Sequence, residues 1–183
     1  MGVLDYMNKF LSLRSKIYIK SAGFTLIELL VTVAILAAVA AIGGINLFGY
    51  YNRQNLELTA EEITVLIRDA QNRTLVQQDG NADGQGDQWG VNFENRISDS
   101  DLARLFCCGS SYDLGTVVNT YNLRTGVELT DPGEGSSKDI VLSRLTGYPG
   151  VPASITVALK NNPAAFFIIT VGAIGQVSRS PLE

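Results

Sequence analysis

The 183-residue chain contains no histidine. That absence excludes Ser-His-Asp catalysis, a papain-type Cys-His pair and His-ligated zinc. Cysteine is nearly as scarce: there are two, Cys107 and Cys108, and they are adjacent. On a strand, neighbouring side chains point to opposite faces, which suits one buried and one exposed thiol. A vicinal disulfide and an intermolecular bridge are the other arrangements open to the pair, and none of the three fixes the redox compartment. Clustered positive charge is also missing. The net charge is −4, and it becomes −7 without residues 1–23, which hold Lys9, Arg14, Lys16, Lys20 and Asp5. Phosphate contacts need grouped Lys and Arg, so nucleic acid is not indicated as a partner.

A further absence is local: residues 29–51 carry no charged side chain at all. The run 24–47 reads FTLIELLVTVAILAAVAAIGGINL, with Glu28 as its single charge and no proline. About 20 apolar residues span a bilayer core as a helix, and this run lacks the polar face that a core helix of a soluble domain presents. Basic residues precede it and Glu57, Glu61 and Glu62 follow it. The positive-inside rule therefore puts the N-terminus in the cytoplasm and the remainder outside. The small pair Ala22-Gly23 lies before the apolar run, not after it as in a secretory signal. A cut at that point leaves the hydrophobic helix on the mature protein. Glu28 then sits one helical turn from the new N-terminus, beside the positive end of the helix dipole. An acid in a membrane helix is costly and usually functional. In a bundle of such helices it can meet the charged amine of a neighbour, each charge neutralising the other.

Beyond Tyr50-Tyr51, which suit a membrane interface, Leu56, Ala60, Ile63, Ile67, Ala70 and Thr74 recur at steps of three or four. That spacing predicts a helix with one buried stripe. Thr59-Ala60-Glu61-Glu62 matches a capping box, yet the stripe begins before it, so one long helix over about 24–77 is expected. The next nine residues, Asp79-Gly80-Asn81-Ala82-Asp83-Gly84-Gln85-Gly86-Asp87, resemble the start of an EF-hand calcium loop. Side-chain oxygens of Asp79, Asn81 and Asp83 fall at the first, third and fifth places, with Gln85 and Asp87 following. Gly90 stands where such a loop places its closing glutamate. Calcium ligation by Asp79, Asn81, Asp83, Gln85 and Asp87 and a plain Gly/Asp turn are the two readings.

From Trp89 onward the helical period disappears. Trp89, Val91 and Phe93 alternate with Gly90, Asn92 and Glu94, as in a half-buried strand. Further strands are expected at 103–108, 116–123, 127–130, 139–145, 154–159, 165–171 and 174–178. Their short connections favour antiparallel pairing, and Phe166-Phe167-Ile168-Ile169 suits a central strand. No nucleophile motif or phosphate-loop spacing is present, so no enzymatic activity and no required cofactor are expected.

Gly23-Phe24-Thr25-Leu26-Ile27-Glu28-Leu29-Leu30 resembles the prepilin processing motif of type IV pilins and type II secretion pseudopilins. The resemblance covers about the first 55 residues. It implies that a membrane-embedded prepilin peptidase cuts between Gly23 and Phe24 and methylates the new amine of Phe24. It also implies that Glu28 is the acid retained for assembly. The partners it implies are other copies, other pilin-like subunits and an inner-membrane assembly machine. The chain departs from many such leaders in placing Ala22, not a basic residue, before the glycine, and in the length of its leader. The stretch 140–147 (IVLSRLTG) with the two strands after it is similar to the head of H-type minor pseudopilins.

The expected architecture is α+β and pilin-like. Residues 1–23 form a leader, 24–47 a transmembrane and filament-core helix, and 48–78 its amphipathic extension. Residues 79–88 form an Asp/Gly-rich loop and 89–183 an antiparallel β head. The expected function is a filament subunit of a pilus or secretion-like system, held in the cytoplasmic membrane before assembly. The alternative is a single-pass anchored protein whose extracytoplasmic head binds a ligand, with calcium as a candidate cofactor.

Overall fold

The computed structural model describes residues 23–180; the leader 1–22 and residues 181–183 lie outside the described residues, as do the side chains of 42–47. One long helix, α1 (Leu26–Leu75), precedes eight strands. The chain divides into two compact units, one up to Gly44 and one from Ile45 onward.

In the first unit, every described side chain of 26–41 is exposed. Leu26, Ile27, Leu29, Leu30, Val31, Val33, Ile35, Leu36 and Val39 each keep half or more of their surface open. Apolar residues lie on all faces of this stretch, and none of its described side chains is buried.

In the second unit the rest of α1 behaves differently. Leu56, Ala60, Ile63, Ile67 and Ala70 are fully buried, and they join one core with residues from all eight strands except β3 and β8. Thr59, at the start of the expected capping box, donates instead to the carbonyl of Asn55 within the helix, so no helix begins there. The helix ends where the amide of Gln78 donates to the carbonyl of Arg73 and that of Gln77 to Thr74. This is a Schellman closure, with Gln77 at φ 50° in the left-handed position usually held by glycine.

The strands are β1 (Trp89–Glu94), β2 (Leu102–Cys107), β3 (Thr116–Asn122), β4 (Val127–Asp131), β5 (Ser137–Leu142), β6 (Ala153–Leu159), β7 (Asn162–Val171) and β8 (Val177–Arg179). They form two four-stranded sheets, β3-β2-β1-β5 and β4-β6-β7-β8, with antiparallel pairing throughout. The chain changes sheet at β4 and returns at β5. The head is thus built on two antiparallel sheets and not on one; the alternation of apolar residues identifies a buried face but not which sheet carries it. Trp89, Val91 and Phe93 of β1 face the core, and β7 lies in the interior of its sheet, as the run at 166–169 suggests.

Buried polar groups join the layers. Asp101 is 2% exposed. One of its carboxylate oxygens accepts from the amide of Arg96 and the other from that of Leu129 in β4. Asn95 donates from its side-chain nitrogen to the carbonyls of Leu129 and Pro132. Lys138 of β5 reaches Asp131 and the carbonyl of Ser154. Each link spans the two sheets where the chain itself crosses between them.

Cys107 and Cys108 form a vicinal disulfide, so the arrangement with two free thiols is not the one found. β2 ends at Cys107, and Cys108 takes φ 72°. The extended alternation that would separate the two side chains stops between them.

Candidate functional site at the helix start

Residues 23–25 carry no regular secondary structure and α1 starts at Leu26. Thr25 is the N-cap. Its hydroxyl oxygen accepts from the amide of Glu28 at 3.3 Å, and the Glu28 carboxylate accepts from the amide of Thr25 at 3.0 Å. The Thr25 hydroxyl also donates to the same carboxylate oxygen. This is a reciprocal capping box, which satisfies two of the amides that every helix start leaves unpaired. The pattern Thr-x-x-Glu at 25–28 is its signal in the sequence, masked by the prominence of Glu28 as the lone charge of an apolar run. Gly23, Phe24 and Glu28 therefore lie together at one helix start, with Phe24 80% exposed and the carboxylate one turn inside.

Among the described residues, no helix is long and apolar enough to cross a membrane. The described apolar stretch 26–41 measures about 24 Å at 1.5 Å per residue, less than the roughly 30 Å of a hydrocarbon core. The remainder of the expected span, 42–47, lies outside the described side chains.

The Asp/Gly loop does not support the calcium reading. The Asp79 carboxylate accepts from the amides of Asn81, Ala82, Asp83 and Gly84. Asp83 accepts from the amide of Gln85 and the side-chain nitrogen of Asn81, and the Asn81 side-chain oxygen from the amide of Asp83. Asp87 turns to the base of the loop, where it accepts from the amide of Gly80 at 2.8 Å and lies 3.3 Å from the Cys108 sulfur. The side-chain oxygens of Asp79, Asn81, Asp83 and Asp87 thus accept from the loop's own N–H groups, and no bond holds the Gln85 side chain among the described residues. Among the described residues, the only acid and cysteine groups gathered closely enough for a metal are Asp87, Cys107 and Cys108, and there both sulfurs are in the disulfide. Gly86 passes so close to Gln77 that a Cβ would fall 2.4 Å from the Gln77 Cβ, seating the loop on the helix end. Millimolar calcium should leave the melting temperature of the protein unchanged in a calorimetric scan.

The amide of Gly84, foremost, and those of Ala82, Asn81 and Asp83 hold the Asp79 carboxyl below its ordinary value of 3.8, against a smaller opposing effect of desolvation. A carboxyl with a lowered folded value supports the fold above its unfolded value and loses that support as pH falls through the folded one. The amide resonances of Ala82 and Gly84 should therefore move together as pH falls, with a midpoint below 3.8. Asp79→Asn should abolish that transition.

Residues 19–44 match the prokaryotic N-terminal methylation motif. The fold of the described chain is similar to that of the type IV minor pilin FimU of Pseudomonas aeruginosa. In one crystal form the TM-score is 0.50 at 10% sequence identity, covering 72% of this chain and 92% of that one. In a second crystal form the score is 0.47, also at 10% identity, over 69% and 93%. No curated protein matches the chain in sequence. The likeness to the minor pilin is one of fold, and the motif covers 26 of the 183 residues.

Proposed function

We propose that this chain is a structural subunit of a type IV pilus or a type II secretion-like filament. The observation that carries the reading is a methylation motif at 19–44 that opens into a helix whose apolar side chains have nothing to pack against in the single chain. Prepilin peptidase cuts between Gly23 and Phe24 and methylates the Phe24 amine. Before assembly the apolar run 24–47 holds the subunit in the cytoplasmic membrane, with the basic leader inside and the head outside. In the filament the same surfaces pack against those of other pilin-like subunits, exchanging lipid contacts for close side-chain packing. Glu28 neutralises the amine of an adjacent subunit within that apolar interior.

Mass spectrometry of the protein from its native envelope tests processing directly. The mature chain should begin at Phe24 and carry one methyl group on its amine. A chain that retains residues 1–23 and stays monomeric in detergent overturns the proposal.

A further inference from the structure

The Cys107–Cys108 disulfide lies against the Asp/Gly loop that follows α1. Gly80 passes so close that a Cβ there would fall 2.5 Å from the Cys107 sulfur and 3.1 Å from the Trp89 ring. Trp89 donates from its ring nitrogen to the carbonyl of Gln78, and the amide of Cys108 donates to that of Gln88. Both ends of the loop are therefore tied to residues beside the disulfide. The two cysteines differ in access: Cys107 is fully buried and Cys108 half-buried. A reducing agent therefore meets Cys108, and Cys107 is the sulfur that has to leave.

Asp87 stands against the sulfur under attack. Its carboxylate lies 3.3 Å from Cys108 Sγ, and the residue is 8% exposed. A disulfide sulfur has no proton to give, so this contact is not a hydrogen bond. The amide of Gly80 donates to the same carboxylate oxygen. No Lys or Arg pairs with Asp87 among the described residues. Burying a charge without a counter-charge is costly. An asparagine would accept from Gly80 as well, so closing the loop does not by itself call for a charged group here.

We infer that Asp87 is an electrostatic guard on the disulfide: its negative charge repels an incoming thiolate and keeps the Cys107–Cys108 bond closed to small thiols. In exchange, a thiolate attacks Cys108 Sγ and bonds to it. The Cys107–Cys108 bond breaks, and Cys107 leaves with the electron pair and takes a proton. With a dithiol, the second sulfur of the reagent then frees Cys108 as a thiol, and the reagent departs as its own disulfide. The first step brings negative charge towards Asp87 and leaves negative charge on a buried sulfur, and the carboxylate opposes both. A neutral phosphine reverses the first effect. It becomes a phosphonium as it attacks, so positive charge grows beside the carboxylate. Water then frees Cys108 and leaves the phosphine oxide. The guard acts within one chain and does not depend on filament assembly.

The test follows reduction of the oxidised full chain in detergent at fixed pH, by dithiothreitol and by the uncharged tris(hydroxypropyl)phosphine. Released thiols are alkylated and read by mass spectrometry. Dithiothreitol should reduce Asp87→Asn about tenfold faster than the parent, the effect of removing one like charge at this range. The phosphine should reduce the variant no faster than the parent. A variant reduced faster by both reagents reports a loosened loop and overturns the inference, and so does one reduced faster by neither. The parent chain gives a second measurement that does not depend on the variant folding. Salt screens the charge, so dithiothreitol should act faster as ionic strength rises and the phosphine should not. A dithiothreitol rate that ignores salt overturns the inference as well.

Discussion

Filaments should be lost as completely in Glu28→Gln as in Glu28→Ala, with the subunit still present in the membrane fraction at parental levels. The two variants separate the cap that the structure shows from the charge pairing proposed for this side chain. Glutamine at the third helical position serves a capping box as well as glutamate does, so Glu28→Gln preserves the reciprocal bonds with Thr25 and removes only the charge. Alanine removes both. Were the carboxylate merely a cap, glutamine would assemble normally and alanine would cost the helix start about 1 kcal/mol. If it neutralises a neighbouring amine in an apolar bundle, either change strands that amine. Breaking one side of a buried pair costs about 3–5 kcal/mol, which lowers the association constant per subunit by roughly two to four orders of magnitude. Sheared filament yield, measured beside the membrane-bound pool, distinguishes the cases. Normal yield from Glu28→Gln would reduce Glu28 to a local cap.

In the head, Asp101→Ala should be among the most destabilising single changes, costing about 3–5 kcal/mol in a denaturant melt. Both carboxylate oxygens are committed to backbone amides, those of Arg96 and Leu129, at 2.9 and 2.6 Å. Hydrogen bonds to a charged group contribute about 1.5–3 kcal/mol each. With the residue 2% exposed, an alanine leaves two amides facing a dry gap. Asp101→Asn keeps one acceptor and should cost about half as much. By contrast Glu62, whose pair with Arg124 is partly open to solvent, should cost less than about 1 kcal/mol when replaced by alanine. Should Asp101→Ala melt within about 1 kcal/mol of the parent, the link between the sheets at β4 is not a principal support of the fold.

Much of this architecture is legible directly in the residues. The buried stripe from Leu56 to Ala70 marks a helix because a period near 3.6 belongs to the helix and not to the strand, and the expected ends fall within two residues of the observed Leu26–Leu75. Trp89 to Glu94 announces β1 through strict alternation. What stays hidden depends on long-range geometry. The division of eight strands into two sheets turns on where β4 and β5 go, and neither the alternation of Val127-Glu128-Leu129 nor that of Ser137 to Leu142 encodes a destination. Asp101 looks like any loop acid until Leu129 arrives from 28 residues away. The pattern at 79–87 serves either reading, because an Asp/Asn/Gly loop that collects cations and one that collects its own amides draw on the same residues. The Thr25–Glu28 cap differs from all of these, because four consecutive residues spell it out in full.

The passage of the chain from one sheet to the other at β4 and back at β5 has a mechanical consequence. A filament subunit must withstand tension, and a head made of two sheets joined only by packing could part along its seam. Here the backbone is stitched through that seam three times, into β4, back into β5 and again into β6, and Asp101, Asn95 and Lys138 fasten the stitches. A pull on the head must therefore shear hydrogen-bonded strands on both sides together, so the head should yield at a single high force and not by peeling layer from layer.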